Sequence, residues 1–434
     1  MEIKRSLRRM AGFLKARLPE LQLAKCRDPR DPRGRRWGIG VLLNAVILGL
    51  MAGSNSLAEL EDLTENMMLA MRRLTGVVRR VADTTLRDLL CRLGIEPLLA
   101  ILHRAVNAAI RRKALPIVAQ LPFHVAAMDG KATALTAWNG AYAQRHFTEQ
   151  GKPYGLLRTV TTTLVTAPGK PCIDVSPIPA RTNEMGHFQT ALADAVATYP
   201  GLFRVVTYDA GAIGEENAAA VVRAGKEYLF HMANEERHMT QLAGELLAMM
   251  PVVAQTKDVL NNHTVVRRTL RLMKTHDHSE AAHRSFIWSH TRTILRVDSE
   301  TRETDSAGRE TTVSCETRLY CSSLAKDELL PAQWLLMVRL HWAVETMHQI
   351  LDTALLEDER PWIVNDANGA LSVLILRRVV YTLLTLFRSV TQRSEDKRAM
   401  PWKRLLKWVE RTLTSADSPT LSGLRSRKAV TAAS

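Results

Sequence analysis

Three acidic residues stand at positions that side-chain packing does not explain. Asp129 follows the mostly apolar run 123–128, Asp209 follows the run 202–208, and Glu345 lies inside an amphipathic segment. The two runs predict short buried strands that each end at an aspartate and give way to a turn. Carboxylate oxygens are the ligands that a hard cation such as Mg²⁺ prefers. The sequence therefore predicts a metal site with these three acids as ligands.

The segment that carries the third acid has a helical period. Between residues 331 and 356, apolar side chains recur at spacings of three and four: Leu336, Leu340, Val344, Met347 and Leu351. This spacing predicts one helix with one buried face, and Glu345 borders that face. A stripe of potential Zn²⁺ ligands follows the same segment at spacings of four, three and four: His341, Glu345, His348 and Asp352. No other donor cluster completes a tetrahedral shell, so Mg²⁺ is favoured over a zinc stripe.

Each acid taken alone has a simpler explanation. An aspartate before Gly or Ala is commonly a turn residue, and a glutamate at a helix border is commonly solvated or paired. Gathered without a cation, three carboxylates would repel one another and raise a pKa, and a bound cation removes that cost. Phosphodiester cleavage requires two cations about 4 Å apart beside the phosphate. The combination points to metal-dependent phosphoryl transfer, and no P-loop or GxGxxG pattern indicates a nucleotide-driven machine.

Charge indicates a polyanionic partner. The chain has 434 residues, 46% of them hydrophobic, which is enough for two or three globular units. Lys and Arg number 59 against 44 Asp and Glu, which gives a net charge of +15. The surplus lies at the ends, because residues 1–40 hold 12 basic and 4 acidic side chains and residues 388–434 hold 11 and 4. Nucleic acid is the first candidate partner, and solubility alone is the alternative reason for basic ends.

Cysteine usage and hydropathy bear on the compartment. The five cysteines are scattered without a CxxC pair, and no secretory leader is recognisable, so we expect a reduced cytosolic protein without structural zinc. Two apolar stretches resemble membrane spans. Residues 38–53 are too few, and residues 371–387 are interrupted by Arg377 and Arg378, so both are predicted to be core helices and no membrane partner is expected.

The N-terminal region carries helix signals in a basic context. Ser56-Leu-Ala-Glu59 and Thr85-Leu-Arg-Asp88 are capping-box patterns, and Leu86, Leu89 and Leu90 are expected to face inward. Helices of this length could form a helix-turn-helix that offers Arg87 and Arg92 to DNA. A helical bundle that packs on the catalytic core is the alternative.

Alternating strand and helix patterns follow and predict an α/β fold. The predicted order is strands at 159–166 and 170–178, a helix at 184–199 capped by Asn183, a strand at 205–208, a helix at 215–224 and a strand at 227–232. Five segments result: a basic helical domain (1–118), the first part of the core (119–262), a β-rich insertion (263–322), the catalytic helix with the rest of the core (323–390), and a basic helix and tail (391–434).

Several motifs resemble those of bacterial insertion-sequence transposases of the DDE type, in the branch that includes the H-repeat-associated proteins. The resemblance is collinear from about residue 26 to 387 and rests on these elements: Asp28-Pro-Arg-Asp-Pro-Arg-Gly-Arg-Arg36, Ser56-Leu-Ala-Glu-Leu60, Asp83-Thr-Thr-Leu-Arg87, Met128-Asp-Gly-Lys131, Thr182-Asn-Glu184, Tyr208-Asp-Ala210 and His341-Trp-Ala-Val-Glu345. The chain departs from the family pattern at Met232, Thr346 and Gln349, none of which is an expected metal ligand.

The resemblance implies a fold and a site. The fold would be α/β, with a ribonuclease H-like catalytic core (a mixed sheet flanked by helices) that carries a β-rich insertion and follows an N-terminal helical domain. Asp129, Asp209 and Glu345 would be the catalytic acids and would hold two Mg²⁺ ions, for which Mn²⁺ can substitute. The implied supporting residues are Lys131, Asn183, Glu184, His341, His348 and Asp352, although Asn183 could simply be the helix cap. The implied DNA-binding residues are Arg33, Arg35, Arg36 and Arg87.

The resemblance also implies an activity. The enzyme would bind the terminal inverted repeats of an insertion sequence, nick the DNA at the element end, and join the freed 3′-hydroxyl to target DNA. It would act as a homodimer in a synaptic complex, in the bacterial cytoplasm and in association with the nucleoid. The alternative is a catalytically inactive DNA-binding protein derived from a transposase.

Overall fold

A twenty-residue apolar helix and a mixed β-sheet organise the two compact units of the chain. The computed structural model describes residues 2–118, 120–209, 214–232, 238–260, 264–275, 288–304, 309–422 and 424. One unit, the helical unit, comprises Met1–Ala114, Thr133–Leu157 and Gln349–Ser434, and the other, the sheet unit, comprises Leu115–Ala132 and Arg158–His348. Residues 349–434 belong to the same unit as the N-terminal helices, and the five segments stay a prediction.

The elements run in the following order. The helices are α1 (Glu2–Arg17), α2 (Ile39–Ala52), α3 (Leu57–Asn66), α4 (Leu69–Thr75), α5 (Asp83–Arg92), α6 (Ile95–Arg111), α7 (Glu184–Thr198), α8 (Glu215–Arg223), α9 (His238–Ala248), α10 (Pro331–His341), α11 (Ala343–Thr353), α12 (Ala367–Leu386), α13 (Glu395–Arg398), α14 (Trp402–Ser415) and α15 (Ser418–Leu421). The strands are β1 (Val125–Leu135), β2 (Ala143–Phe147), β3 (Pro153–Leu164), β4 (Cys172–Pro177), β5 (Val205–Tyr208), β6 (Glu227–His231), β7 (Ala254–Val259), β8 (Thr264–Lys274), β9 (Thr293–Thr304) and β10 (Glu310–Ser322).

Helix α12 is the core of the helical unit. It packs against α2, α5 and α6, and all of its residues except Asn368 are buried. Asp366 caps its first turn by accepting a hydrogen bond from the backbone N–H of Gly369. Two buried arginines interrupt its apolar surface: Arg378 pairs with Glu357, and Arg377 donates to the carbonyl of Arg360 at 2.7 Å. A fully apolar helix needs neighbours on every side, and helices from both ends of the chain supply them.

Both apolar stretches that were predicted to be core helices are buried helices. Among the described residues, one helix, Ala367–Thr391, is long and apolar enough to cross a membrane, and its most apolar window is entirely buried in the structure. Helices α2 and α3 pass the same test only if they are taken together, and the chain bends by 99° between them.

The N-terminal capping signals are confirmed in part. The Ser56 hydroxyl accepts from the N–H of Glu59 at 3.1 Å and begins α3, as predicted. The predicted start at Thr85 is wrong: α5 begins at Asp83, and its N-cap residue Ala82 makes no side-chain cap. The leucines of α5 are nevertheless buried as expected, and this helix packs against α3 and α12.

The sheet unit is built on a large mixed sheet flanked by helices. Its strand order is β4, β3, β1, β5, β6, β10, β9, β8 and β7. The pairs β1–β5 and β5–β6 are parallel, whereas β3–β4 and every pair from β6 to β7 through β10, β9 and β8 are antiparallel. Helix α7 packs against β4, α8 against β6, and α9 against β8, β9 and β10. In the helical unit, β2 forms a hairpin with the first part of β3.

Three predicted elements differ in the structure. Strand β1 does not end at Asp129 but continues to Leu135, although its pairing with β5 ends at Met128. The β-rich segment 263–322 forms strands as predicted, but these strands extend the main sheet through the β10–β6 pair. The predicted helix at 331–356 is divided into α10 and α11 at Trp342, although the apolar period passes through the break without interruption.

Candidate active site

Two of the predicted acids lie side by side at one edge of the sheet unit. The register of the parallel pair β1–β5 runs from Val125↔Val205 to Met128↔Tyr208. Asp129 and Asp209 are the next residues on each chain, and parallel strands bring equivalent positions to the same edge. The Asp209 side chain is 48% exposed and that of Asp129 is 21% exposed. Both carboxylates are therefore accessible from solvent at the carboxyl edge of the strand pair.

Helix α11 brings the third acid into the same environment. Glu345 lies in its first turn, and His348, one turn later, places Nδ1 3.1 Å from Oδ2 of Asp129. Burial raises the pKa of the Glu345 carboxyl, and the negative charges of Asp129 and Asp209 raise it further. Arg318 opposes this shift only in part. The three carboxylates thus share one field with an excess of negative charge.

The spacing of these acids does not match the shell of a single ion. Within the described ranges, the only set of three His, Cys, Asp or Glu residues whose ligand atoms all lie within 4.8 Å is Asp352, Glu357 and Asp358 of the helical unit. Asp129, Asp209 and Glu345 are therefore more widely spaced than three ligands that bind one cation. Two cations about 4 Å apart need only one shared ligand, which an open arrangement allows.

The donor set fits hard cations. Asp129, Asp209 and Glu345 offer carboxylate oxygens, which suit Mg²⁺ or Mn²⁺. Burial and, after it, the charges of Asp129 and Asp209 raise the pKa of Glu345, and a bound cation would offset both effects. The Nε2 atoms of His341 and His348 are buried without a hydrogen-bond partner, so the site also holds two polar atoms that the protein leaves unsatisfied.

The proposed zinc stripe is not assembled. Its four residues were predicted to lie on one continuous helix, but His341 is the last residue of α10 and the other three lie on α11. His341 Nδ1 contacts the hydroxyl of Thr207 at 2.9 Å, and burial lowers the pKa of its imidazole. His348 instead contacts Asp129, and Asp352 belongs to the acidic set of the helical unit. His341, His348 and Asp352 thus each have a different neighbour.

A fourth acid, Glu184, adjoins the site. It opens α7 and accepts a hydrogen bond from the Tyr208 hydroxyl at 2.6 Å. A side chain at Gly130 would collide with its carboxylate, so the glycine next to Asp129 is needed for this close approach. Burial raises the pKa of Glu184, and repulsion from Asp129 and Asp209 adds to the shift.

The other predicted supporting residues have simpler positions. Asn183 caps α7, because its Oδ1 accepts from the N–H of Gly186 at 2.9 Å. Lys131 is half-buried on β1, two residues beyond Asp129 and therefore on the same face of the strand. Of these two, only Lys131 is directed to the side of the strand that carries a catalytic acid.

The four arginines predicted to bind DNA are in the helical unit. Arg33, Arg36 and Arg87 are exposed. Arg35 instead stabilises its own loop, because its guanidinium donates to the carbonyls of Arg30 and Asp28. Arg35 is exposed as well, so all four are accessible to a ligand, although the Arg35 guanidinium is already engaged by its own loop.

The sequence did not single out His231, which contacts Asp209. Strand β6 pairs with β5 so that Tyr208 faces Phe230, and the next residues on the two strands are Asp209 and His231. His231 Nδ1 lies 2.8 Å from Oδ1 of Asp209 and must donate, since a carboxylate only accepts. The available signal was the apolar run 228–230 ending in a polar residue, the same pattern that marks Asp209.

His231 is expected to orient the Asp209 carboxylate for a cation. In His231→Leu the donor is lost, and Mn²⁺ should bind about 10-fold more weakly, the size typical of an outer-shell partner. His231→Asn keeps an N–H near the position of Nδ1 and should recover most of the affinity. Titration calorimetry with Mn²⁺ measures this, and equal affinities for all three proteins would contradict the role.

Charge repulsion at Glu345 predicts a pH-dependent gain in stability when the charge is removed. The raised pKa of Glu345 means that the folded state holds its proton more tightly, so stability falls as pH rises through the folded pKa. In EDTA, Glu345→Gln should raise the Tm by a few degrees at neutral pH. It should have no effect below the ordinary glutamate pKa of about 4.3, where both side chains are neutral.

Two controls make this test specific. Glu216→Gln removes an exposed charge from α8 and should leave the Tm unchanged at both pH values. Adding Mg²⁺ at neutral pH should stabilise the wild type more than Glu345→Gln, because a ligand that binds the folded state raises its stability. A neutral-pH Tm that is unchanged in Glu345→Gln would show that the carboxylate is not repelled.

No protein-family model and no curated protein matches this chain. Among solved structures, the chain is similar to one from the cryo-EM structure of the piggyBac transposase synaptic complex with hairpin DNA. The sequences are 13% identical, the TM-score is 0.42, and the match covers 94% of this chain and 77% of that chain. With identity and superposition this low, the geometry of the acids is the basis for assigning a function.

Proposed function

We propose that this protein is a DNA transposase that binds the ends of an insertion sequence and performs metal-dependent strand cleavage and strand transfer. The observation that carries the proposal is the pair Asp129 and Asp209 at the shared edge of two adjacent parallel strands, with Glu345 in their field. Packing gives no reason to gather three carboxylates. A site that binds two cations and a phosphate does.

The architecture supports a ribonuclease H-like core for this enzyme. Such a core is a mixed sheet flanked by helices, and the sheet unit has both features. Its first acid lies on β1 and its second follows the neighbouring parallel strand, while the third lies on a helix after the antiparallel extension β7–β10. The chain order of acids and strands is the one that the resemblance to DDE transposases implies.

The residues of the site would divide the work as follows. Asp129, Asp209 and Glu345 would hold two Mg²⁺ or Mn²⁺ ions, which when bound neutralise charge on the attacking and leaving oxygens. His348 and His231 would orient the two aspartates through the contacts already described. Lys131, on the same strand face as Asp129, would contact a phosphate oxygen of the DNA.

The partners in this proposal are DNA and a second copy of the chain. The net charge of +15 favours DNA, both terminal inverted repeats and target, and basic ends would contribute contacts to phosphates. Joining two element ends requires two active sites, so a homodimer in a synaptic complex is part of the proposal. We assign the protein to the H-repeat-associated branch of insertion-sequence transposases and to the bacterial cytoplasm in association with the nucleoid.

The test is cleavage of a duplex that carries the terminal repeat, read from the DNA that flanks the gene. Wild-type protein should nick it with Mg²⁺ or Mn²⁺ and should be inactive in EDTA, whereas Asp209→Ala should bind the duplex without nicking it. If both proteins bind and neither nicks under any metal condition, the enzyme proposal is lost, and an inactive DNA-binding derivative is the remaining assignment.

A further inference from the structure

A basic groove lies in the helical unit between α1 and α14. Its volume is about 440 Å³, and these residues line it: Ser6, Leu7, Lys397, Met400, Arg404, Lys407, Trp408 and Arg411. Four of the eight carry positive charge, and no carboxylate lines the groove within the described residues. None of the four cations forms an ion pair with a described acid. The groove therefore concentrates uncompensated positive charge.

Helix α14 arranges three of these cations in one row. Arg404, Lys407 and Arg411 follow spacings of three and four, which place them on one face of the helix. From Arg404 to Arg411 the row covers about 10 Å of helix axis. Like charges at these spacings destabilise a helix. A row of them is therefore costly in the free protein, and a bound polyanion would offset the cost.

The floor of the groove is fixed. Trp408 packs edge to face against Phe387, with ring centroids 5.3 Å apart. The opposite side of α14 is buried in the unit through Leu405, Leu406 and Val409. The cations therefore project from a helix that is held in place, and binding a ligand here does not require the helix to be ordered first.

The arrangement of the cations in a row favours an anion with repeating charges. One free phosphate would engage only part of a row about 10 Å long, whereas a DNA strand presents a phosphate every 3.4 Å or so. A membrane surface fits less well, because an amphipathic helix binds a bilayer through its apolar face. In α14 the apolar face is already buried within the protein.

We infer that this groove binds the phosphodiester backbone of DNA, as a contact independent of base sequence and separate from the catalytic acids. The inference rests on the proposed function only in taking DNA as the partner. Its chemistry is that of backbone positioning, in which Lys and Arg neutralise phosphates and displace counterions.

The experiment compares two double variants that remove the same charge. Arg404→Gln/Arg411→Gln removes two of the three cations in the row and leaves Lys407, and Arg73→Gln/Lys403→Gln removes two exposed cations outside the groove. Binding of a random-sequence duplex is measured by fluorescence anisotropy over a series of salt concentrations. For the groove variant we expect Kd at low salt to rise at least 10-fold and the slope of log K against log[salt] to fall by about 1.8, or 0.9 per lost phosphate contact. The control variant should keep the wild-type slope.

Further measurements separate the outcomes. Equal slopes for groove variant, control and wild type, with matching thermal melts, would overturn the inference. If the groove variant loses binding to vesicles rich in anionic lipid but binds DNA as the wild type does, the groove contacts a membrane surface. That result would also overturn the inference. Metal-dependent nicking at saturating protein tests the catalytic proposal independently, since Asp209→Ala should lose nicking while keeping the wild-type salt slope.

Discussion

Asp209→Ala is expected to lower the rate of metal-dependent DNA nicking by about 1,000-fold or more, which corresponds to about 4 kcal/mol of transition-state stabilisation. The Asp209 carboxylate follows β5 at the edge it shares with β1, and His231 holds it by a hydrogen bond of 2.8 Å. Removing it takes away one of three ligands. The cations it helps to hold would supply the largest electrostatic term in phosphoryl transfer.

DNA binding should change in the opposite sense or not at all. A carboxylate repels phosphate, so its removal cannot weaken affinity through charge, and the Kd for the terminal-repeat duplex should stay equal or decrease. Glu216→Ala, an exposed acid on α8, is the matched control and should nick at the wild-type rate. Nicking by Asp209→Ala at a rate within 10-fold of wild type, in Mg²⁺ and at saturating protein, would remove Asp209 from the catalytic set.

The two strand acids could be predicted from the sequence because they depend on local patterns. Short apolar runs predicted β1 and β5, and the structure places the residue after each paired stretch at one edge. Their proximity follows from parallel pairing. The contact between His231 and Asp209 was missed because it depends on the sheet order. Strand β6 lies beside β5 in the sheet, and no local sequence pattern predicts that neighbour.

The segment that carries Glu345 shows a second limit of prediction from the sequence. Apolar spacing continues from Leu340 to Val344, so periodicity predicted one helix where the chain forms two. The break at Trp342 leaves His341 at the end of α10 and the other three residues of the zinc stripe on α11. Periodicity reports which residues are buried. It does not report whether the helix is continuous at Trp342, because the neighbouring residues can be buried by one helix or by two.

The partners of buried charged residues are a third feature that the sequence does not predict. Arg377 and Arg378 were recognisable as interruptions of an apolar helix, but their partners come from a loop more than fifteen residues away in sequence. Burial lowers the pKa of Arg377 to about 10, and this arginine donates from its two terminal nitrogens to the backbone carbonyls of Glu357 and Arg360, whereas its Nε has no hydrogen-bond partner in the described part of the chain. A partner that lies in an irregular segment leaves no periodic signal, so the pair is visible only in the folded chain.

The second large effect is therefore expected on stability. Arg378→Met should destabilise the helical unit by about 3–5 kcal/mol, the cost of leaving one member of a buried ion pair without its partner. The side chains of Arg378 and Glu357 are 0% and 1% exposed, so water cannot replace the lost contact. Hydrogen exchange of the α12 amides, followed in urea, measures the change in the unit that holds the pair.

The double variant decides whether the loss comes from the stranded charge. Arg378→Met/Glu357→Met replaces both charges by apolar side chains, and replacing a buried pair in this way is commonly neutral or stabilising. We expect it to recover most of the stability lost by Arg378→Met alone. If the double variant is as unstable as the single one, the pair contributes through its hydrogen bonds and shape, since Arg378 also donates to the carbonyl of Leu374 at 3.1 Å. Recovery would instead show that Arg378 is required because Glu357 is buried. The role of the Arg378 charge would then be to neutralise the Glu357 carboxylate.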